Sequence, residues 1–200
     1  MNAVATQRGR PNTRILKGLV GSPLRGGYEQ LIRSRYALAH GAELVEFMPN
    51  LLGCIGEDDQ PLAVLGYRSA AAGPLFLEQY LDSPIDHMLL GRGAAVGSAA
   101  RLDRHRIVEV GNFASRDRVA TMELLQQLPS FLAREGFEWL VFTGTPRVCA
   151  LVAGFGAPLL DLGRADPARL QSGAARWGRY YESTPRVMAG WLGHCAQVAA

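Results

Sequence analysis

The chain has 200 residues, 48% of them hydrophobic and 20% charged; that fits one compact unit of ~100 to 200 residues and is too apolar for a disordered chain. No apolar run approaches the ~18 residues that span a bilayer, and MNAVATQRGRPNTR at the N-terminus lacks a signal-peptide core, so a cytoplasmic protein without a transmembrane segment is expected. The net charge is +3, with Lys17 the only lysine among 21 basic residues; the scattered arginines fit the coding bias of a GC-rich bacterium, whereas a nucleic-acid binder gathers its cations on one face.

Residues 1–13 are polar, carry Pro11 and read as a flexible arm ahead of a single domain over 14–200. Arg14 to Val20 reads as a short first strand. In Tyr28 to Ala39, the residues Tyr28, Leu31, Ile32, Arg35, Tyr36 and Ala39 recur at the spacing of an amphipathic helix. Leu51 to Gly56 and Leu62 to Ser69, separated by the turn-rich EDDQP, predict a β-hairpin. Leu75 to Leu81, LFLEQYL, is apolar but for Glu78, Gln79 and Tyr80 in its middle, which marks it as a candidate site. Pro84 starts a short helix through Leu90, a Gly/Ala-rich connection runs to Ala100, and RLDRHR (Arg101 to Arg106) reads as a solvated turn.

Arg106 to Phe113 alternates as a strand, with Ile107, Glu109 and Gly111 on one face and Val108, Val110 and Asn112 on the other. Residues 117–135 repeat Val119, Met122, Leu125 and Leu128 at helical intervals, and Gly136 suits the helix end. Phe137 to Phe142 reads as a buried strand. Pro146 opens a helix through Gly154, closed by Gly156. Ala157 to Leu162 and Pro185 to Leu192 read as the last strands. Cys54, Cys149 and Cys195 are odd in number and far apart, and His40, His87, His105 and His194 show no ligand spacing, so neither a disulfide framework nor a metal site is expected.

Four blocks carry a resemblance: LFLEQYLDSPI (Leu75 to Ile85), IVEVGNFAS (Ile107 to Ser115), FEWLVFTGT (Phe137 to Thr145) and WGRYYESTPRVMAG (Trp177 to Gly190). Together they resemble the bacterial thermostable hemolysin family over about residues 14 to 192. The order of elements is similar to the GNAT-like (acyl-CoA N-acyltransferase) α/β fold, a mixed central sheet flanked by helices. YEQLIRSRYALA and EVGNFAS resemble the first helix and the Glu-x-Ser-Arg-Phe-Ala strand of acyl-homoserine-lactone synthases, which are GNAT-like in turn. Two departures stand out. Asn112 replaces the strand arginine of those synthases, and SRDRVA (Ser115 to Ala120) lacks the glycines of the GNAT pyrophosphate loop.

The resemblance implies an N-acyltransferase that moves an acyl group from acyl-CoA, or from the phosphopantetheine of an acyl-carrier protein, to a small amine or amino acid. The donor is a co-substrate, and no permanently bound cofactor is expected. The implied donor site is Asn112, Phe113, Ser115, Arg116 and Arg118, near a helix start whose free N–H groups favour phosphate; the same two arginines read equally as solvated charges. Arg35, Tyr36 and Phe142 are implied as substrate-binding residues. Glu109, Glu78 and Tyr80 are the catalytic candidates. A carboxylate at mid-strand between Val108 and Val110 is costly to bury unpaired, so Glu109 is either a base or half of an ion pair with Arg33 or Arg35. Tyr180 and Tyr181 read as a general acid or as packing. Two rivals stand beside the enzyme: a membrane-active hemolysin, for which neither a basic amphipathic face nor long alternating strands are present, and a catalytically inactive acyl-thioester-binding domain.

Overall fold

A computed structural model describes residues 13–91, 102–155 and 158–193; most of the expected N-terminal arm, the connection to Ala100, Gly156, Cys195 and His194 lie outside them. Among the described residues seven strands form one sheet: β1 (Arg14–Gly18), β2 (Asn50–Ile55), β3 (Pro61–Ser69), β4 (Ile107–Ser115), β5 (Trp139–Gly144), β6 (Leu159–Arg164) and β7 (Arg186–Trp191). The order across it is β1-β2-β3-β4-β5-β7-β6. Every neighbouring pair is antiparallel except β4 and β5. Two parallel neighbours need a crossover between them, and α3 (Arg118–Arg134) supplies it. The mixed α/β architecture expected of a GNAT-like chain is therefore present, with β7 inserted between β5 and β6.

Strand alternation sorts the core into two faces. On one, Leu52, Leu65, Val108, Val110, Leu140 and Phe142 meet Ala120, Leu124, Leu128 and Leu132 of α3. On the other, α1 (Arg25–His40) buries Tyr28, Leu31 and Ile32 against Leu51, Ile55 and Val64. A third cluster extends that second face: Leu75, Leu77, Tyr80, Ile85 and Leu89 cover Ile107, Trp139, Val141 and Ala189. The expected helix after Pro84 is α2 (Ile85–Gly91), and LFLEQYL folds as a 3₁₀ turn over Phe76–Tyr80. Gly53 leaves room for the Tyr28 ring, since a Cβ there would lie 2.4 Å from Cζ of that ring. Pro146 and the Thr145 N-cap open α4 (Pro146–Ala153) as its sequence implies.

One strand face differs from the alternation. Asn112 has φ of +49°, and the β3–β4 register shifts between Val64, opposite Ala114, and Gly66, opposite Gly111. This is a bulge: one extra residue in β4 turns Asn112 onto the same side as Gly111. There its Oδ1 accepts a hydrogen bond from the Met48 N–H at 2.8 Å. Phe113 in turn packs with the α3-side cluster.

Candidate active site

β4 and β5 pair over only four residues, Ile107–Val110 against Trp139–Phe142. Beyond Val110, β4 runs on to Ser115 without a partner on that side, and β5 ends at Gly144. The strands therefore fork just after a bulge, a feature enriched beside active sites because it frees backbone groups and re-aims side chains. A cavity of about 1020 Å³ passes through the fork, lined at the crossing by Val110, Gly111, Phe142 and Thr143. Along α3 its walls include Leu125, Leu128, Phe155 and Leu192, with Arg116, Arg118 and Thr121 around the start of that helix; on the α1 side they are Arg35, Tyr36, His40 and Tyr180.

The charges at this cavity are unbalanced: among the described residues Arg35, Arg116, Arg118 and Arg147 line it against Asp117 as the one carboxylate. Among the described residues none of these arginines has an ion-pair partner. The start of α3 is less open to an anion than the sequence suggests, because the Asp117 side chain caps it, accepting from the Ala120 N–H at 2.7 Å. Ser115 Oγ is likewise committed, donating to the Asp117 carbonyl and accepting from Thr121 Oγ1 at 2.5 Å. At the fork itself Thr143 Oγ1 is buried with no hydrogen-bond partner among the described residues. A buried hydroxyl left so costs ~1 to 3 kcal/mol, a cost that a polar ligand atom in the cavity would offset.

Of the expected donor and substrate residues, Phe113, Ser115, Arg116, Arg118, Arg35, Tyr36 and Phe142 line the cavity. Asn112 does not; its side chain holds Met48. The three catalytic candidates, Glu109, Glu78 and Tyr80, are not among the residues that line it. Glu109 is 4% exposed and accepts from the Phe76 and Leu77 N–H groups at 2.9 and 3.0 Å. It thereby caps the 3₁₀ turn and pairs with neither Arg33, which binds Glu29, nor Arg35. Burial pushes its carboxyl up to about 7 despite those two hydrogen bonds.

Glu78 accepts from the Leu75 and Ile85 N–H groups and from Arg104. Burial alone would raise its pKa, but these donors outweigh it and hold the carboxyl below its usual range. Tyr80 O–H is 2.6 Å from the Tyr181 O–H, and burial drives its pKa far upward. The phenol thus belongs to an aromatic cluster of Phe76, Tyr80, Trp177, Tyr180, Tyr181 and Tyr36, which reaches the cavity only through Tyr36 and Tyr180. Arg104 departs from the solvated turn expected of RLDRHR: it binds Glu78, Asp86 and the Ala70 and Gly73 carbonyls.

Sequence reasoning missed Thr143, Arg147 and His40 as cavity residues. His40 was legible in part, since it extends the Arg35, Tyr36, Ala39 stripe by one position on the same helical face.

A forked parallel pair in a mixed sheet, with helices on both faces and a cavity through the fork, defines the acyl-CoA N-acyltransferase (GNAT) fold class. Solved structures of that class align along nearly the whole chain. The acyl-homoserine-lactone synthase LasI has a TM-score of 0.58 at 13% identity, covering 92% of this chain and 91% of that one. FeeM, an N-acyl amino acid synthase from uncultured soil microbes, has 0.59 at 12%, covering 91% and 92%. The CoA-dependent acyl-homoserine lactone synthase MesI has 0.53 at 14%, covering 90% and 89%. At these identities the likeness is one of fold. Residues 20–196 match the thermostable hemolysin family, and the chain belongs to it. Comparison with curated proteins finds no match.

Proposed function

We propose that the chain is an N-acyltransferase: it moves an acyl group from a thioester, carried by coenzyme A or by the phosphopantetheine of an acyl-carrier protein, to a small amine or amino acid. The observation that carries this reading is the cavity through the β4–β5 fork, with an apolar wall along α3 and polar groups at the start of that helix and on the α1 side. An acyl chain would lie along the apolar wall, with the thioester carbonyl at the fork, where β4 backbone groups beyond Val110 have no β5 partner. Arg116 and Arg118 would hold the phosphate end of the donor. The amine would enter past Arg35 and Tyr36. Its nitrogen bonds to the carbonyl carbon, the C–S bond breaks, one amine proton leaves to a base, and the thiolate takes a proton.

Glu109 and Glu78 serve in this reading as positioning residues, holding the turn that carries Tyr80 and its aromatic cluster beside the cavity. The comparison of this chain with LasI, FeeM and MesI supports the reaction class through the fold. No helix among the described residues is long and apolar enough to cross a membrane. An N-acylated product with a long chain is amphiphilic, so membrane disruption would come from the product.

Mass spectrometry of extracts from cells making the wild type, compared with cells making Arg116→Ala/Arg118→Ala, tests the reading. A new acylated amine is expected with the wild type and at least a several-fold smaller amount with the double variant, since two exposed phosphate contacts are weakened but not the chemistry. Wild-type extracts without any new acylated metabolite would overturn it.

A further inference from the structure

We propose that the His40 imidazole accepts the proton of the attacking amine, held beside the strand fork by Tyr180; this rests on the acyltransferase reading above. His40 is the last residue of α1 and lines the cavity on the amine side together with Arg35, Tyr36 and Ala39. Its position is over-determined. The His40 carbonyl accepts from the Arg179 N–H at 2.8 Å, and Glu43 N–H donates to the Arg176 carbonyl at 2.7 Å, so the segment around Trp177 is laced to the end of α1. Gly178 makes that approach possible, because a Cβ there would lie 2.2 Å from the His40 carbonyl oxygen, and its φ of +52° also favours glycine.

The ring sits edge-to-face against Tyr180 at 5.2 Å between centroids, with Tyr36 at 6.0 Å. Tyr180 in turn donates its O–H to the Thr143 carbonyl at 3.4 Å, at the fork. His40 is thus one aromatic ring from the place where the thioester carbonyl would lie, in the same cavity. Among the described residues neither ring nitrogen has a hydrogen-bond partner, and no carboxylate lies within ion-pair distance of it, unlike His87 and His105.

The charged and titratable groups around it are Arg35 and Tyr36 from its own helix and Arg179 and Tyr180 from the segment after β6. Burial first, then the charge of Arg179, lowers its pKa and so favours the neutral ring. A neutral imidazole with a free lone pair can take a proton directly or through one water.

The test combines two measurements on the intact protein. In the first, the His40 ring is titrated by NMR, with His40→Gln assigning the signal. A ring neutral at pH 7 is expected, and one still protonated at pH 8 would overturn the proposal. In the second, the acylated amine is quantified by mass spectrometry from cells making wild type or His40→Gln, with both melting temperatures measured.

Product is expected to fall about 100- to 10,000-fold at an unchanged melting temperature. In lysate the wild-type rate is expected to show an acid limb at the ring's pKa, and residual His40→Gln activity to lack it. Equal product from both proteins, or a lost product with the acid limb still present in the residual activity, would overturn the role of His40 alone. Absence of product from the wild type would overturn the acyltransferase reading as well.

Discussion

Glu109 shows how a residue that looks chemical can be architectural. Alternation along β4 places it correctly on the face of Ile107, and the cost of burying a lone carboxylate is real. What relieves that cost is a pair of backbone N–H groups more than thirty positions upstream, Phe76 and Leu77. No local pattern announces such donors. In Glu109→Gln the amide can accept from one of them, and its NH₂ faces the other, leaving a buried donor unsatisfied at ~1 to 3 kcal/mol. Calorimetry is expected to show a melting temperature lowered by several degrees, at ~2 to 4 °C per kcal/mol for a chain of this size. The folded pKa of about 7 lies above the ordinary carboxylate value of 4.5, so the contribution of Glu109 is fully present below about pH 4.5 and fades as pH rises through about 7. That slope is expected to vanish from the stability profile of Glu109→Gln.

At the scale of elements, the 3₁₀ turn at Phe76–Tyr80, α2 and the turn at Arg104–Arg106 are held as one unit by the Arg104 guanidinium. Its contacts run to Glu78 at 2.7 Å, Asp86 at 2.8 Å and the Ala70 carbonyl at 3.0 Å. The Glu78 and Asp86 side chains are 11% and 6% exposed, so removing the cation strands two carboxylates out of water. Arg104→Ala is expected to cost about 3 to 5 kcal/mol, read as a lowered urea midpoint at unchanged slope. The pKa of Glu78 is depressed; its stabilisation is present above the ordinary carboxylate value and is lost as pH falls through the folded one. The acid limb of the stability profile is therefore expected to flatten in Arg104→Ala. Arg106 pairs with Glu138 and His105 with Asp103 at exposed positions; at these two positions RLDRHR is the solvated turn its sequence suggests.

For the whole molecule, the decisive feature is space left in the sheet. Leu124 and Leu125 are neighbours on α3, but Leu124 is fully buried in the core and Leu125 faces the cavity. Enlarging a packed core residue usually costs ~1 to 3 kcal/mol or more, whereas a cavity of about 1020 Å³ can take the added volume. Leu124→Trp is expected to be strongly destabilised and Leu125→Trp to melt close to the wild type while losing product, a contrast readable by thermal melts and mass spectrometry. Pro129, which also lines the cavity, has no N–H to offer the Leu125 carbonyl, so α3 is not fully bonded to itself along this wall.

The succession of elements was legible in the chain because helix and strand periodicities, Pro146 at a helix start and Gly136 at a helix end are local signals. Those signals located β1 to β7 and α1 to α4 to within a few residues. Arg35, Tyr36, Phe113, Ser115, Arg116, Arg118 and Phe142 line one cavity; the family resemblance, and no local signal, singled them out in the chain. The bulge at Asn112 escaped, because an inserted residue does not alter composition or period until β3 and β4 are paired. The seat of Glu109, the Arg104 clamp and the place of His40 beside Tyr180 escaped for a related reason. Each depends on partners distant in the chain, and a side chain's partners are decided by packing and by the need to satisfy buried polar groups, neither of which exists before the tertiary structure forms.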